Sequence, residues 1–216
     1  MKIQVRKGVF ETNSSSTHSL QLAKQTVDEA KNVVSERIKE LYEYDAEPMF
    51  DESMYIDDDK LILKGFPITS SEETTCVYYI ITNWVAKIQY LAMLLKEYTS
   101  NIDGFEEEAA KYKDMNSWCY QEQESILQKL NVYKKFVELI KEYSKKKGLV
   151  IKDVVFEMEE STWVEFFTFK DKNFLNEKIT VNYLEDLFNT VMDDSYIITY
   201  SDEAYYPYAT PSIYIF

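Results

Sequence analysis

The chain has 216 residues, of which 45% are hydrophobic and 15% aromatic, and it carries a net charge of −14 at pH 7. Disordered chains are poor in aromatic residues, so this composition indicates a folded protein with enough chain to bury a core. The negative charge repels nucleic-acid backbones and anionic membranes, which argues against direct binding to either. Two interpretations of the charge remain open: it keeps the protein in solution, or it forms an acidic surface that docks on a basic partner.

The N-terminal segment differs from the rest of the chain in charge and in composition. Residues 1–25 contain four cations and one carboxylate, a net charge of +3, so the other 191 residues carry −17. The alternation of apolar and polar residues at 2–6 and at 18–22 predicts two short strands. The run of small polar side chains between them is predicted to be a loop, or an irregular lead into the second strand.

This N-terminal segment is the best candidate site in the chain. Small hydroxyl side chains leave backbone amides accessible, so the loop can form an anion-binding nest, and nearby cations add charge for a phosphate or carboxylate group. No Gly-x-x-x-x-Gly-Lys motif is present, so the segment is not a P-loop. The candidate ligand-binding residues are Arg6, Lys7, Asn13, Ser14, Ser15, Ser16, Thr17 and His18.

His18 is the only histidine of the chain, and the serines beside it suggest nucleophilic catalysis. Residues two or three apart rarely align as nucleophile and base, and the sequence identifies no acidic residue that would orient the imidazole. In the structural alternative, Ser, Thr and Asn side chains bond their own backbone and His18 is a satisfied structural residue. No catalytic residue is therefore assigned, and a binding protein is favoured over an enzyme.

The two cysteines, Cys76 and Cys119, both lie in segments predicted to be helical. Without a signal peptide or a cysteine framework, we expect free thiols in a reducing cytoplasm. Neither cysteine lies at metal-ligand spacing from His18, and the aspartates at 57–59 lack the ligand layout of a calcium loop, so no metal or cofactor is predicted. Apolar stretches end well short of ~18 residues, which predicts no membrane span.

A helix and a β-hairpin are predicted after the N-terminal segment. Thr26 and Glu29 form a capping-box pattern, which predicts a helix to about Tyr44 that ends before Pro48. The side of this helix predicted to be buried comprises Val27, Val34, Ile38 and Leu41. The apolar residues on both sides of 57–59 predict a hairpin with an acidic turn.

The central third of the chain predicts two long helices. A second capping-box pattern at 70–73 opens the first helix, whose apolar residues recur at steps of three and four to about Tyr98. A polar connector at 101–116 leads to a second apolar seam, and Lys-Lys-Lys-Gly at 145–148 is typical of a helix C-terminus. We expect the two seams to pack as an antiparallel helical hairpin, with 70–148 an insertion or subdomain.

The last third of the chain predicts strands around one helix. The strands are predicted at 149–156, 162–169 and 195–200, with an edge strand at 213–216, and the helix from Thr180 to about Met192. The chain as a whole is predicted to be a single α+β domain over residues 1–216. Its mixed or antiparallel sheet carries packed helices that include the long antiparallel hairpin.

The run Val9-Phe10-Glu11-Thr12-Asn13-Ser14-Ser15-Ser16-Thr17-His18-Ser19-Leu20 resembles the opening of a group of uncharacterised proteins from bacteriophages and their bacterial, often Firmicute, hosts. Similarity beyond this opening is limited to a central helical region, a β segment near 163–169 and the stretch 183–199. Some members of the group have an Asp-His pair in that β segment, where this chain has Glu165-Phe166-Phe167, so no role is carried over from the pair. The group has no established activity, and the resemblance implies a phage-related origin only.

Two hypotheses about function follow. In the first, a phage-encoded acidic protein binds and inhibits a basic or nucleic-acid-handling host protein, such as a CRISPR effector, in the host cytoplasm. In the second, a nucleotide- or phosphate-binding protein or enzyme uses the N-terminal loop and His18. A flat acidic face distant from the loop favours the first hypothesis, and a pocket lined by the loop favours the second.

Overall fold

The computed structural model describes residues 16–42, 48–50, 56–57, 59–64, 76–99, 102–112, 120–157, 179–204 and 212–215. These residues form an α+β fold, as predicted, with eight strands and six helices. The strands are β1 (Ser16–Lys24), β2 (Pro48–Phe50), β3 (Ile56–Asp57), β4 (Lys60–Leu63), β5 (Cys76–Ile81), β6 (Asp153–Phe156), β7 (Tyr196–Ala204) and β8 (Ser212–Ile215). The helices are α1 (Val27–Tyr42), α2 (Trp84–Leu94), α3 (Lys96–Thr99), α4 (Ile102–Tyr112), α5 (Tyr120–Lys146) and α6 (Val181–Met192).

The larger sheet, sheet A, has five strands in the order β1-β7-β5-β8-β2. β7 pairs antiparallel with β1 and β5, whereas β8 pairs parallel with β5 and β2, so the sheet is mixed. β8 confirms the predicted C-terminal strand but corrects its position: it lies between two strands rather than at an edge. Its isoleucines, Ile213 and Ile215, are buried because they alternate onto a covered face of the sheet.

Helices cover both faces of sheet A. Because successive residues of a strand lie on opposite faces, neighbouring residues of β5 pack in different cores. Tyr78 and Ile80 of β5 pack in a cluster with the buried side of α1. Tyr79 and Ile81 belong to the larger core, which is shared with α2, α5 and α6. The sheet therefore separates a small core from a large one.

The smaller sheet, sheet B, contains the predicted hairpin. β3 and β4 pair antiparallel, with Ile56 opposite Leu61, and β6 adds a parallel strand to β4. The predicted strand over 149–156 begins only at Asp153. Just before it, the backbone N–H of Lys152 donates to the carbonyl oxygen of Asp59 at 2.8 Å, and the two side chains form an ion pair. The strand predicted at 162–169 lies outside the described residues.

The capping box of α1 is present as predicted. The backbone N–H of Glu29 donates to Thr26 Oγ1 at 3.2 Å, and the backbone N–H of Thr26 donates to Glu29 Oε2 at 2.7 Å. The backbone N–H and the hydroxyl of Thr26 both donate to the Glu29 carboxylate, which holds the pKa of Glu29 below its usual value. Of the predicted inner side, Val34 and Ile38 are buried and Val27 packs half-buried against the same cluster, while the side chain of Leu41 lies outside the description.

The prediction of one continuous helix from 70 to 98 is wrong over residues 76–81, which form β5. This segment reads Cys-Val-Tyr-Tyr-Ile-Ile, and helical spacing and strand spacing are equally satisfied by such an unbroken apolar run. Its aromatic and β-branched residues favour a strand buried on both faces. Cys76 accordingly lies in a strand, while Cys119 and the capping-box pattern at 70–73 lie outside the described residues.

The long antiparallel hairpin is not confirmed. α2 begins only after Asn83, whose Oδ1 accepts a hydrogen bond from the backbone N–H of Val85 at 2.8 Å. α2 is buried on all sides, so it has no single apolar seam to offer a partner helix. The segment predicted to be a polar connector contains α4, and α5 packs against α4 and α6. The treatment of 70–148 as a subdomain remains a prediction.

The end of α5 confirms the predicted C-terminus. Gly148 has a φ of +86°, in the left-handed region, and its backbone N–H donates to the carbonyl oxygen of Lys145 at 3.1 Å. The next N–H, of Leu149, donates to the carbonyl oxygen of Ser144 at 2.9 Å. This pair of bonds is a Schellman motif, in which glycine permits the reversal of the chain.

The predicted C-terminal helix and strand are also confirmed. The side chain of Thr180 caps α6 by accepting a hydrogen bond from the backbone N–H of Tyr183 at 3.3 Å. β7 follows after a turn in which Asp193 Oδ1 accepts a hydrogen bond from the backbone N–H of Ser195 at 2.8 Å. α6 and β7 thus connect the large core to an inner strand of sheet A.

Candidate functional site

The predicted site residues fall partly within the described chain. Ser16, Thr17 and His18 are the first three residues of β1. This end of the hydroxyl run is therefore strand rather than loop, because pairing with β7 extends to Ser16, beyond the alternating pattern that begins at His18. The candidates outside the described residues are Arg6, Lys7, Asn13, Ser14 and Ser15.

β7 places two carboxylate-bearing residues beside the start of β1. Asp202 lies directly opposite His18 in the strand register, and Glu203 lies opposite Thr17. On the other side of β7, Cys76 of β5 lies opposite Glu203. We call this region the polar end of sheet A. It comprises residues 16–18 of β1, 202–204 of β7, 76–77 of β5 and Ser212 of β8.

The two register pairs are placed on opposite faces of sheet A. Residues directly opposite each other share a face, and faces alternate along each strand. Leu22, an even number of residues after His18 in β1, packs against the larger core. His18 and Asp202 are therefore on the face of the larger core, whereas Thr17 and Glu203 are on the α1 face.

The register of β1 and β7 brings Asp202 opposite His18, a neighbour that sequence analysis did not identify. Almost the whole chain separates these two residues, so no local motif joins them. The alternating patterns at 18–22 and 195–200 predicted two strands. They did not show that these strands are neighbours in the sheet.

A second polar cluster lies at the C-terminal end of α6. Lys87 of α2 is only 2% exposed, and its Nζ donates to the carbonyl oxygen of Asp193 at 3.0 Å. Tyr143 of α5 donates from its Oη to the carbonyl oxygen of Met192 at 3.1 Å. The last carbonyls of a helix have no partner within the helix, so these two side chains satisfy groups that burial would otherwise leave unbonded.

The charges of this cluster are partly balanced. Burial lowers the pKa of Lys87, and the nearby Asp194 and Asp193 oppose that effect. Lys147 bonds the carboxylate of Asp194 at 3.3 Å, which raises the pKa of the lysine, and its Nζ lies 5.4 Å from the ring centre of Tyr143. Because Lys87 bonds a backbone carbonyl, the cluster is explained as a structural cap of α6.

The outer side of α6 is acidic. Its inner side, with Leu184 and Leu187, is buried, whereas four carboxylate residues at its surface and C-terminal end are exposed. Glu185 lies 3.8 Å from Lys135 of α5, in an ion pair whose carboxylate is exposed and whose lysine side chain is half-buried. Residues 179–216 contain six Asp or Glu and no Lys or Arg. We call Glu185, Asp186, Asp193 and Asp194 the acidic surface of α6.

The described residues contain neither a metal-binding cluster nor a membrane-spanning helix. The described side chains include no group of three or more His, Cys, Asp or Glu that is suited to hold a metal ion. No helix of the described part of the chain is both long and apolar enough to cross a membrane. In comparisons with known proteins, no family model, no curated protein and no solved structure matches this chain.

Proposed function

We propose that this protein is an acidic binding protein that docks on a basic host protein and inhibits it. The observation that supports the proposal is the acidic surface of α6, within a stretch of 38 residues (179–216) that has no lysine or arginine. Such a surface attracts a basic partner over a long range and competes for the site where that partner binds a phosphate backbone. A nucleic-acid-handling defence protein, such as a CRISPR effector, has this chemistry.

The position of Asp194 supports a role beyond the stability of α6. The C-terminal end of a helix carries partial negative charge, so carboxylates there are electrostatically unfavourable. Asp194, with its side chain 79% exposed, lies just beyond the end of α6, and Lys147 offsets its charge. Helix stability alone would favour a cation at this position.

The resemblance of the N-terminal segment to phage and host proteins supports a bacterial partner. A phage protein with no assigned catalytic residue acts most directly by occupying the functional surface of a host factor. The host partner is therefore expected to lose nucleic-acid binding when it is bound to this protein.

The test is binding of charge-reversed variants to partners captured from a Firmicute lysate and identified by mass spectrometry. Glu185→Lys with Asp186→Lys is expected to weaken capture of a basic partner at least about tenfold, because both changes place cations in the interface. Raising the salt concentration is expected to release the same partner from wild type.

Glu36→Lys with Glu40→Lys on α1 is the matched control, because these exposed residues produce the same change in net charge elsewhere on the surface. The control is expected to bind within about twofold of wild type. Equal loss in both double variants would show a non-specific charge effect and overturn docking at α6.

A second candidate function is binding of a nucleotide or another phosphate ligand at the polar end of sheet A. The position of Ser16, Thr17 and His18 together at the start of β1 favours it. A ligand that binds only the folded state raises its stability, by about 2.7 kcal/mol at a hundred times the Kd. A thermal-shift screen of nucleotides should therefore find a ligand whose stabilising effect is lost in His18→Ala.

A further inference from the structure

We propose that a second copy of this chain docks on the outer face of sheet B, so that the protein forms a weak two-fold dimer. The outer face is made of alternate residues along two neighbouring strands. These are Lys60, Ile62 and Lys64, in β4 and directly after it, and Asp153, Val155 and Glu157, in β6 and directly after it. The proposal goes beyond the function proposed above and does not rest on it.

The two faces of sheet B differ because side chains alternate along a strand. Leu61 and Leu63 of β4 are fully buried in the larger core, and Val154 of β6 is buried with them. The alternate residues therefore lie on the opposite, outer face. The four charged residues of this face are exposed, and its two apolar residues, Ile62 and Val155, are half-buried.

The charges of the outer face are sorted by strand. Lys60 lies opposite Asp153 in the register, and Lys64 Nζ lies 3.5 Å from a carboxylate oxygen of Glu157. β4 therefore carries a column of cations and β6 a column of carboxylates. The apolar pair of the outer face lies between these two charged pairs. The two charges of each sign cancel, whereas the whole chain has a net charge of −14.

This pattern is complementary to itself. An isologous two-fold dimer uses the same face of both copies. When the axis runs parallel to the strands, β4 of one copy lies over β6 of the other, because the rotation exchanges the two strands. Each column of cations then faces a column of carboxylates, and the apolar pairs of both copies meet at the centre. An apolar centre with a charged rim is the usual anatomy of a protein interface.

The balanced charge makes this face suited to a second copy of an acidic chain. Two copies repel each other most where carboxylates are concentrated, as at the acidic surface of α6. Asp57 of β3 lies opposite Lys60 on the outer face, but β3 is one strand outside the overlap of β4 and β6. Because the overlap is small, the dimer belongs to the weak and transient class of interfaces, and we expect a Kd of about 0.1 mM.

Two charge-reversed variants test the pairing directly. Lys60→Glu with Lys64→Glu leaves two columns of carboxylates, and Asp153→Lys with Glu157→Lys leaves two columns of cations. Each variant alone is expected to dimerise at least about tenfold more weakly than wild type, because like charges face each other. An equimolar mixture of the two variants should restore dimers, because every column of cations again faces a column of carboxylates. The measurement is sedimentation equilibrium of the full chain in about 0.15 M NaCl, which screens the net repulsion.

Lys39→Glu with Lys134→Glu is the matched control for the first variant. Both lysines are exposed and lie outside sheet B, and the change in net charge is the same. The control should dimerise within about twofold of wild type. If the charge-reversed variants do not fold, Ile62→Thr with Val155→Thr keeps β-branched residues in both strands and should weaken the dimer at least about fivefold.

A wild-type chain that stays monomeric at about 1 mM would overturn the proposal. A dimer that both charge-reversed variants form as strongly as wild type would also overturn it, because its interface then lies elsewhere. Folded variants whose mixture stays monomeric would do the same. If wild type is monomeric and Ile62→Thr with Val155→Thr no longer captures the lysate partner, the outer face belongs to that partner instead.

Discussion

Lys87 illustrates how a single residue is determined by its surroundings in the fold. It lies in α2, a helix buried on all sides, and its ammonium group is retained there because it bonds the carbonyl oxygen of Asp193. Tyr143 performs the same task for Met192 from a different helix. A buried lysine in isolation suggests a reactive amine, but in this structure it caps the end of α6.

The lowered pKa of Lys87 leads to a prediction about the pH dependence of stability. In the unfolded chain a lysine has its usual value of 10.5, so between the folded pKa and 10.5 the unfolded state binds more protons. The contribution of Lys87 to the free energy of unfolding therefore rises with pH in this window and is lost as pH falls through the folded pKa. Relative to Lys87→Met, wild type should gain stability toward pH 10.5, as measured by urea denaturation.

The difference in the free energy of unfolding between wild type and Lys87→Met cancels the pH dependence of the groups that titrate equally in both proteins. Lys64→Met, which removes a lysine with a 55% exposed side chain, is the matched control. A stability difference between wild type and Lys87→Met that is constant or falls with pH would contradict the assignment.

At the scale of elements, ends were easier to predict than interiors. Each confirmed end depends on residues within a few positions of one another. These ends are the capping bonds of Thr26 and Glu29, the cap at Thr180 and the chain reversal at Gly148. The interior of 76–81 depends instead on what covers it, because an apolar run fits a strand or a helix equally well.

Gly148→Ala is predicted to destabilise the end of α5. A methyl group at this position meets no atom within 4 Å, so the whole effect comes from holding an L-residue at a φ of +86°. We expect a loss of about 1 kcal/mol in the free energy of unfolding, measured by urea denaturation. Gly148→Asn, which tolerates the left-handed region better, should lose less. An alanine variant as stable as wild type would contradict the Schellman assignment.

At the scale of the whole molecule, charge is the dominant property. With a net charge of −14, like charges repel one another in the folded state, and residues 179–216 carry six carboxylates and no lysine or arginine. The ion pairs of Lys135 in α5 with Glu185, and of Lys147 just beyond α5 with Asp194, offset only part of this repulsion.

The melting temperature is therefore expected to rise with salt at neutral pH. Screening of the net repulsion should raise Tm by about 2–4 °C between low salt and about 0.3 M NaCl, which corresponds to about 1 kcal/mol for a chain of this size. Near the pI of about 4.6 the net repulsion disappears, and the increase should disappear with it. A Tm that falls with salt at neutral pH would show that local ion pairs outweigh the repulsion.

Patterns within short stretches predicted the α+β class, the caps of α1 and α6, the end of α5 and the hairpin of β3 and β4. The N-terminal segment as candidate site came from the same kind of local pattern and stays a prediction. Short-range chemistry was sufficient because a cap or a turn is satisfied by its own neighbours in the chain. The strand at 76–81, the position of β8 inside sheet A and the alignment of His18 with Asp202 required the assembled fold. Each depends on which distant segments become neighbours, and burial and strand pairing across the whole chain decide that choice.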